Sequence, residues 1–267
     1  TTLRLGGVAA RLARVTSEAE LIDAVCEVDS QGAPLLLLGG GSNLVIADEG
    51  WPGTAVHIGV RGLSFDAGKA SSSHVRVQAK AGEPWDGFVA AAVAEGLSGV
   101  ECLAGIPGLV GAVPMQNVGA YGQDVSETIV NVRVWDRQTR SVAVIDRDEC
   151  QFAYRSSMFR GKDRYVILDV TFELEKSADS KPIRYAELAR ALAVSEGARA
   201  PLETTRRTIV ELRRKKGMVL DASDPDTTSA GSFFTNPILD REALEAFRER
   251  LKRDGEEGER GAVPIFP

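Results

Sequence analysis

The sequence has only three cysteines and two histidines among its 267 residues. Cys26, Cys102 and Cys150 are far apart and form no CxxC pair, which argues against a disulfide framework and a cysteine-based zinc site. His57 and His74 lie in strand-like stretches and belong to no HExxH motif, so too few ligands remain for a metal site or a Ser-His catalytic pair. We expect no metal, and thiols that stay reduced.

Long apolar runs and excess positive charge are also missing. No run approaches the length of about 20 apolar residues that a membrane span requires, and the N-terminal stretch TTLRLGGVAARLARV lacks the apolar core of a signal peptide. The net charge is −6, whereas a general nucleic-acid binder needs a basic surface. We expect a cytoplasmic, monomeric protein that binds a small molecule, and neither nucleic acid nor membranes.

Hydrophobic spacing predicts a βαβ unit near the N-terminus. Ser17 and Glu20 have the spacing of a capping box, followed by a helix with its apolar positions on one face. The predicted strands of this region cover residues 12–15, 34–38, 44–46 and 55–58, the last after a Trp-Pro-Gly turn.

Strands dominate the middle of the chain, and helices are few there. Alternating apolar residues predict strands near residues 75–79, 130–134, 142–144 and 166–174. Helices are predicted after Pro84, over residues 202–216 and after Asp240. The fold class is therefore α+β, with expected domains at residues 1–62, 63–217 and 218–267.

The stretch PLLLLGGGSNLVI, residues 34–46, breaks an apolar run with three glycines. It has neither the GK[ST] of a Walker loop nor a GxGxxG that opens a helix. A run of N–H groups without side-chain cover can form an anion-binding nest. A tight turn between two strands accounts for the same residues, so both interpretations stay open at this point.

A second cluster, AGIPGLVGAVPMQNVGAYG at residues 104–122, is apolar, irregular and therefore predicted to be buried. Buried backbone groups need hydrogen-bond partners, and a large ligand with many acceptors would supply them. No Lys or Arg occurs from Ala81 through Val132, so a diphosphate bound here would be held by backbone amides and not by side-chain cations. The two clusters together favour a planar cofactor that carries a diphosphate.

Four segments resemble one family, the UDP-N-acetylenolpyruvoylglucosamine reductases, which are FAD enzymes of bacterial cell-wall synthesis. They are LLLLGGGSNLVI (35–46), GVECLAGIPGLVGAVPMQNVGAYGQDV (99–125), FAYRSSMFR (152–160) and SAGSFFTNP (229–237). The resemblance implies a type-2 (PCMH-like) FAD-binding fold, with FAD between the first two domains and a substrate-binding domain begun at residue 218. The cofactor residues it implies are Gly39, Gly40, Gly41, Ser42, Asn43, Gly105, Ile106, Pro107, Gly108, Gly111, Gln116, Asn117 and Gly119.

The reaction that the resemblance implies has two halves: NADPH reduces the flavin, and the reduced flavin then delivers hydride to C3 of the enolpyruvyl sugar nucleotide. Arg155 matches the arginine that supports the substrate carboxylate, and Ser232 matches the general acid that protonates C2. Two Phe residues beside Ser232 are expected to keep water out.

The resemblance also implies substrate-binding residues. Tyr154 precedes the catalytic arginine, Tyr185 resembles the tyrosine that closes over the diphosphate, and Asn236 resembles a sugar-nucleotide contact. Lys216 matches the substrate lysine, with Lys215 as an open alternative because the segment that follows is longer than in some relatives.

The family continues beyond the final PIFP, where it supplies a glutamate that assists protonation at C2, and this sequence has no counterpart. We therefore expect this chain to bind FAD but to reduce the substrate poorly. Two alternatives remain: an FAD-dependent alcohol or sugar oxidase of the same fold class, and a flavin-binding fragment without catalysis.

Overall fold

A computed structural model describes residues 1–66 and 73–253 of the chain. The chain divides into two compact units, Thr1–Gly231 and Ser232–Pro267. The acidic cluster of Glu256, Glu257 and Glu259, predicted to form a loop, lies outside the described residues.

The first sheet forms around the predicted βαβ unit. Strands β1 (Ala9–Val15), β2 (Leu35–Leu38) and β3 (Trp51–Ile58) are parallel, and β3 lies in the middle. Helix α1 (Glu18–Ser30) connects β1 to β2 and begins with the predicted capping box, because Ser17 Oγ accepts a hydrogen bond from Glu20 N at 3.2 Å while Glu20 Oε2 accepts one from Ser17 N at 3.2 Å.

The second sheet is larger and antiparallel. The remaining strands are β4 (Leu63–Asp66), β5 (His74–Lys80), β6 (Leu97–Ser98), β7 (Gly119–Ala120), β8 (Gln123–Asp124), β9 (Ile129–Asp136), β10 (Ser141–Asp146) and β11 (Tyr165–Lys176). Strands β7 and β8 form a short hairpin, and the other six form one sheet in the order β10-β9-β11-β5-β4, with β6 also paired to β11. This arrangement confirms the predicted α+β class.

Helix α2 (Trp85–Ala94) contributes aromatic side chains to the core of the second sheet. The rings of Phe88 and Phe172 are 4.6 Å apart between centroids, and Trp85 lies 5.3 Å from Phe88. All three side chains are fully buried, and Trp85 Nε1 donates to Leu103 O at 3.0 Å, so its one polar atom is satisfied. Aromatic burial of this size is a main source of stability for the domain.

A buried ion network connects the two sheets. Asp169 of β11 is 1% exposed and accepts from Lys80 Nζ at 3.1 Å and Arg133 Nε at 2.8 Å. Both cations also bind Glu18, the first residue of α1, with Lys80 Nζ 3.1 Å from Glu18 Oε2. The hydrogen bond from Arg133 is the main reason why the pKa of Glu18 is lowered. The network therefore holds α1 and its sheet against the larger sheet.

Three further helices follow the sheets. Helix α3 (Ala186–Leu192) and helix α4 (Leu202–Arg214) belong to the first unit. Helix α5 (Arg241–Arg253) belongs to the second unit, and Asp240 caps it as predicted, since Asp240 Oδ1 accepts from Ala243 N at 2.8 Å. In the described part of the chain, none of the helices is long and apolar enough to span a bilayer.

Two local predictions are wrong. Residues 44–46 form no strand. Residues 6 and 7 lie beside this stretch, and Gly7 N donates to Ala47 O at 2.9 Å, but no ladder of backbone hydrogen bonds pairs the two stretches as strands. The Trp-Pro-Gly stretch is the start of β3 and not a turn. Its glycine permits close packing, since a Cβ on Gly53 would lie 2.0 Å from Pro34 O of the neighbouring chain segment. Strand β4 and helix α3 were not predicted.

Candidate cofactor and substrate site

The first glycine-rich loop, residues 39–43, leaves the carboxyl end of β2. Gly41 has φ +68°, a conformation that glycine adopts without strain. Within the part of the chain that the structure describes, the backbone N–H groups of residues 40–43 donate no hydrogen bond. Consecutive free N–H groups suit an anion. Since no strand follows the loop, this geometry favours the anion-binding interpretation over a turn between two strands.

The two glycine-rich segments meet in space. A Cβ on Gly40 would lie 3.2 Å from Gly108 Cα, and one on Gly39 would lie 3.5 Å from the Leu109 side chain. Gly108 has φ +118°, and a Cβ there would lie 3.4 Å from Ser42 Oγ. Side chains at these positions would therefore fill the space between the loops.

The second segment is only partly buried, with Ala112 and Gly122 exposed, and it contains two short 3-10 turns, Val110–Ala112 and Pro114–Gln116. The protein itself satisfies part of its backbone: Val110 N donates to Glu83 O, and Gly111 N donates to Ala81 O, both at 2.9 Å. These two N–H groups therefore need no ligand. Packing alone also accounts for the glycine at position 111, because a Cβ there would lie 2.7 Å from Ala81 Cβ.

Free donors nevertheless remain on the second segment. The N–H groups of Ile106 and Gly108 donate no hydrogen bond to a described residue. Together with residues 40–43, they leave donors free on both sides of the place where the loops meet. These free amides, next to glycines that lack a Cβ, fit a cofactor that carries a diphosphate.

Arg155 lies against the end of the second segment. Its Nη2 donates to Gly119 O at 2.6 Å, its Nη1 donates to Asn117 O at 3.3 Å, and Asp124 Oδ1 lies 3.8 Å from Nη1. Burial is the main reason why the pKa of Asp124 is raised, and Arg155 opposes that shift. The fold thus brings a cation to this segment from 36 residues further along the chain, and the expectation that backbone amides hold the diphosphate stays a prediction.

The backbone of Arg155 is held in an unusual conformation. Its φ is +49°, which is uncommon for a residue other than glycine. Asn117, a predicted cofactor residue, supports this turn because its Nδ2 donates to Ala153 O at 3.1 Å and its Oδ1 accepts from Ser126 N at 3.1 Å. The side chain of Asn117 thus fixes the position of Arg155. The neighbouring Tyr154 is exposed, and its ring centroid lies 5.2 Å from Arg155 Cζ.

Tyr185 and Lys216 come together through a residue that the sequence did not single out, Tyr121. The rings of Tyr121 and Tyr185 meet edge to face at 5.3 Å, and Lys216 Nζ lies 5.8 Å from the Tyr121 centroid. Lys216 also pairs with Glu187 at 2.7 Å, a hydrogen bond that raises the pKa of the lysine. Burial raises the pKa of Tyr121. The only hint of Tyr121 in the sequence was its position in GAYG, next to Gly122, which in the structure has φ +81°.

The remaining predicted residues, Ser232 and Asn236, lie in the second compact unit. Both are exposed there. Phe233 and Phe234 are also exposed, and their rings meet edge to face at 5.2 Å. That these rings exclude water from Ser232 stays a prediction.

The cysteines do not form a reactive centre. All three are free thiols, and burial raises the pKa of Cys102 and raises that of Cys150 to about 12. A thiol with a raised pKa is a poor nucleophile at neutral pH. Among residues 1–66 and 73–253, no group of three or more His, Cys, Asp or Glu side chains is placed to hold a metal ion.

Comparisons with known proteins agree with this geometry. A family described as an FAD binding domain matches residues 9–143, which contain both glycine-rich segments. The UDP-N-acetylenolpyruvoylglucosamine reductase of Thermobifida fusca is 57% identical over 94% of this chain and 70% of its own length. The protein of the same name from Salinispora arenicola is 54% identical over 96% of this chain and 70% of its own length.

A solved structure supports the fold. The crystal structure of the UDP-N-acetylenolpyruvylglucosamine reductase from Thermus caldophilus has a TM-score of 0.61 and 27% identity, covering 93% of this chain and 76% of that chain. It confirms the predicted FAD-binding α+β fold. The chain is an FAD-dependent oxidoreductase, and it belongs to the UDP-N-acetylenolpyruvoylglucosamine reductase family.

Proposed function

We propose that this chain reduces UDP-N-acetylglucosamine enolpyruvate to UDP-N-acetylmuramate with NADPH, a cytoplasmic step in the synthesis of peptidoglycan precursors. The observation that carries the proposal is Arg155, a guanidinium fixed by two backbone carbonyls at the end of the segment that we assign to the cofactor. The family membership supports the same substrate.

The first and second domains, residues 1–62 and 63–217, would hold FAD between the two glycine-rich segments. The free N–H groups of residues 40–43, Ile106 and Gly108 would donate to its diphosphate. When bound, FAD supplies the hydride transfer from NADPH to the enolpyruvyl double bond. The segment from residue 218 onward would begin the substrate-binding domain.

Arg155 supports the chemistry at the substrate carboxylate. Hydride addition at C3 leaves negative charge at C2, which is delocalised into the adjacent carboxylate. A guanidinium held in place before the reaction stabilises that charge without reorganisation. Its contacts to Gly119 O and Asn117 O use two of its donors and leave others for the substrate.

Ser232 would donate the proton that C2 receives. A serine hydroxyl is a weak acid in water, but the acceptor is strongly basic, so the proton transfer is favourable. The other residues would bind the substrate: Tyr154 and Asn236 at the sugar nucleotide, and Tyr185 with Lys216 at the diphosphate. The pairing of Lys216 with Tyr121 and Glu187 supports Lys216 over Lys215 for this role.

The test separates the two half-reactions by stopped-flow absorbance of the flavin. Ser232→Ala should leave flavin reduction by NADPH unchanged and slow reoxidation by the enolpyruvyl substrate by about a hundredfold or more. Ser223→Ala, in an exposed turn of the first unit, is the matched control and should change neither rate. Equal slowing of both half-reactions in Ser232→Ala would contradict the assigned role.

A further inference from the structure

Glu101 is a fully buried carboxylate in the 3-10 turn Glu101–Leu103, directly before the second glycine-rich segment. In the part of the chain that the structure describes, Glu101 takes part in no ion pair. The ammonium of Lys181 pairs instead with Glu175, at 2.5 Å. A buried acidic group without a cation is costly unless hydrogen bonds satisfy it, so its contacts need an explanation.

Three N–H donors meet the two oxygens of Glu101. Its Oε2 accepts from Gly99 N at 2.6 Å, and its Oε1 accepts from Lys181 N at 2.6 Å and from Gln123 Nε2 at 3.1 Å. A carboxylate suits this arrangement because it only accepts, and hydrogen bonds to a charged acceptor are stronger than those between neutral groups. Glu101 therefore connects three segments that are far apart in the sequence.

Gln123 carries the connection from Glu101 into the β7–β8 hairpin. It lies in β8 and is buried, and its Oε1 accepts from Cys102 N at 2.9 Å. Both ends of its side-chain amide are thus bound by neighbouring residues of one 3-10 turn. The turn holds the hairpin in place through this single side chain.

The hairpin and the loop at residues 177–185 both contribute to the candidate site. Gly119, in β7, accepts from Arg155 Nη2 at 2.6 Å. Tyr121, in the turn of the hairpin, meets the ring of Tyr185 at 5.3 Å, and Lys181 lies four residues before Tyr185 in the loop. The position of Glu101 between hairpin and loop therefore bears on Arg155 and on the two tyrosines.

We propose that Glu101 is a positioning residue, which fixes the hairpin and the loop relative to each other so that Arg155 and the tyrosine pair are in place before the substrate binds. This inference rests on the function proposed above. Groups that are held in place beforehand need no rearrangement during the reaction, and small displacements of such groups slow it strongly.

The contacts of Glu101 require a carboxylate and not only its shape. In Glu101→Gln, one oxygen becomes an NH₂ group, which faces an N–H donor whichever way the amide is turned. Glu127→Gln is the matched control. Glu127 follows the hairpin and pairs with Arg184 of the same loop at 2.8 Å, but this ion pair is exposed and is expected to contribute little.

The experiment measures both half-reactions of the FAD-loaded full chain by stopped-flow absorbance. We expect Glu101→Gln to slow reoxidation at saturating enolpyruvyl substrate about tenfold or more. Flavin reduction at saturating NADPH should stay unchanged, because it does not depend on a carboxylate held by Arg155. Glu127→Gln should change neither rate.

A second measurement does not depend on turnover. Hydrogen–deuterium exchange of the backbone amides at residues 119–124, without substrate, reports how firmly the hairpin is held. We expect faster exchange there in Glu101→Gln than in the unmodified protein, and no change in Glu127→Gln.

Unchanged reoxidation in Glu101→Gln would overturn the inference, and so would equal slowing of both half-reactions, which indicates a general structural role. If Glu101→Gln does not fold, Gln123→Leu removes only the connection to the hairpin and should slow the same half-reaction; a normal rate would overturn the inference. If the enolpyruvyl substrate does not reoxidise the unmodified protein, the proposed function fails. Faster hairpin exchange in Glu101→Gln would then still support the positioning role, and unchanged exchange would overturn it.

Discussion

Gly119 and Arg155 pack closely against each other: Arg155 Nη2 donates to Gly119 O at 2.6 Å, and a Cβ on Gly119 would lie 2.9 Å from Arg155 Nη1. The same Cβ would lie 1.7 Å from Asp124 Oδ1. A contact that short cannot be accommodated without moving Asp124 or the backbone of the segment. The absence of a side chain at position 119 is thus a condition for the position of the guanidinium.

The first prediction concerns this pair. Gly119→Ala should displace Arg155 and slow the substrate-dependent reoxidation of the flavin about tenfold or more, since a misplaced catalytic group loses much of its effect. Gly87→Ala is the control, because a Cβ on Gly87 in α2 would make an ordinary contact of 3.6 Å with Pro84. Stopped-flow absorbance measures both. A Gly119→Ala protein with an unchanged rate would show that Arg155 tolerates the displacement or is not needed.

The second prediction concerns the buried ion network. Asp169→Asn leaves Lys80 and Arg133 without their buried counter-charge, so the free energy of unfolding should fall by about 3 kcal/mol. Glu27→Gln breaks an exposed ion pair with Arg11 and should change stability little or not at all. Urea unfolding at neutral pH compares the two variants. Equal effects would mean that the network does not connect the sheets energetically.

The third prediction distinguishes two adjacent lysines. Lys216→Ala should weaken the binding of UDP about tenfold, because the ammonium beside Tyr121 is the charge that we assign to the diphosphate. Lys215→Ala, with its exposed side chain, is the matched control and should bind UDP normally. Calorimetric titration of the FAD-loaded protein gives both affinities. The reverse order would assign the role to Lys215.

Local signals in the sequence predicted local structure well. The capping box at Ser17 and Glu20 fixes the start of α1 through contacts between residues three apart, and the alternating residues of β5 show which side of that strand is buried. In β11 the same alternation marks the strand, but residues 166–170 are buried on both faces. Residues 44–46 misled the prediction because a short apolar stretch resembles a strand whether or not a partner strand is present.

The site required information that no local pattern contains. The absence of Lys and Arg from residues 81–132 predicted that backbone amides hold the diphosphate, but it could not show that Arg155 and Arg213 reach the second segment from later parts of the chain. The contacts of Tyr121 with Tyr185 and Lys216 likewise join residues that are far apart in the sequence. Such contacts depend on how strands and helices are arranged, which the spacing of residues does not encode.

The central claim is that the two glycine-rich loops hold FAD in a working reductase. Its most direct test is the visible absorption spectrum of the purified protein during anaerobic titration with NADPH, followed by addition of the enolpyruvyl substrate. The account predicts a flavin band that NADPH bleaches and that the substrate restores, with the flavin released intact when the protein is denatured. A protein without a flavin band, or a reduced flavin that the substrate leaves unchanged, would contradict the account.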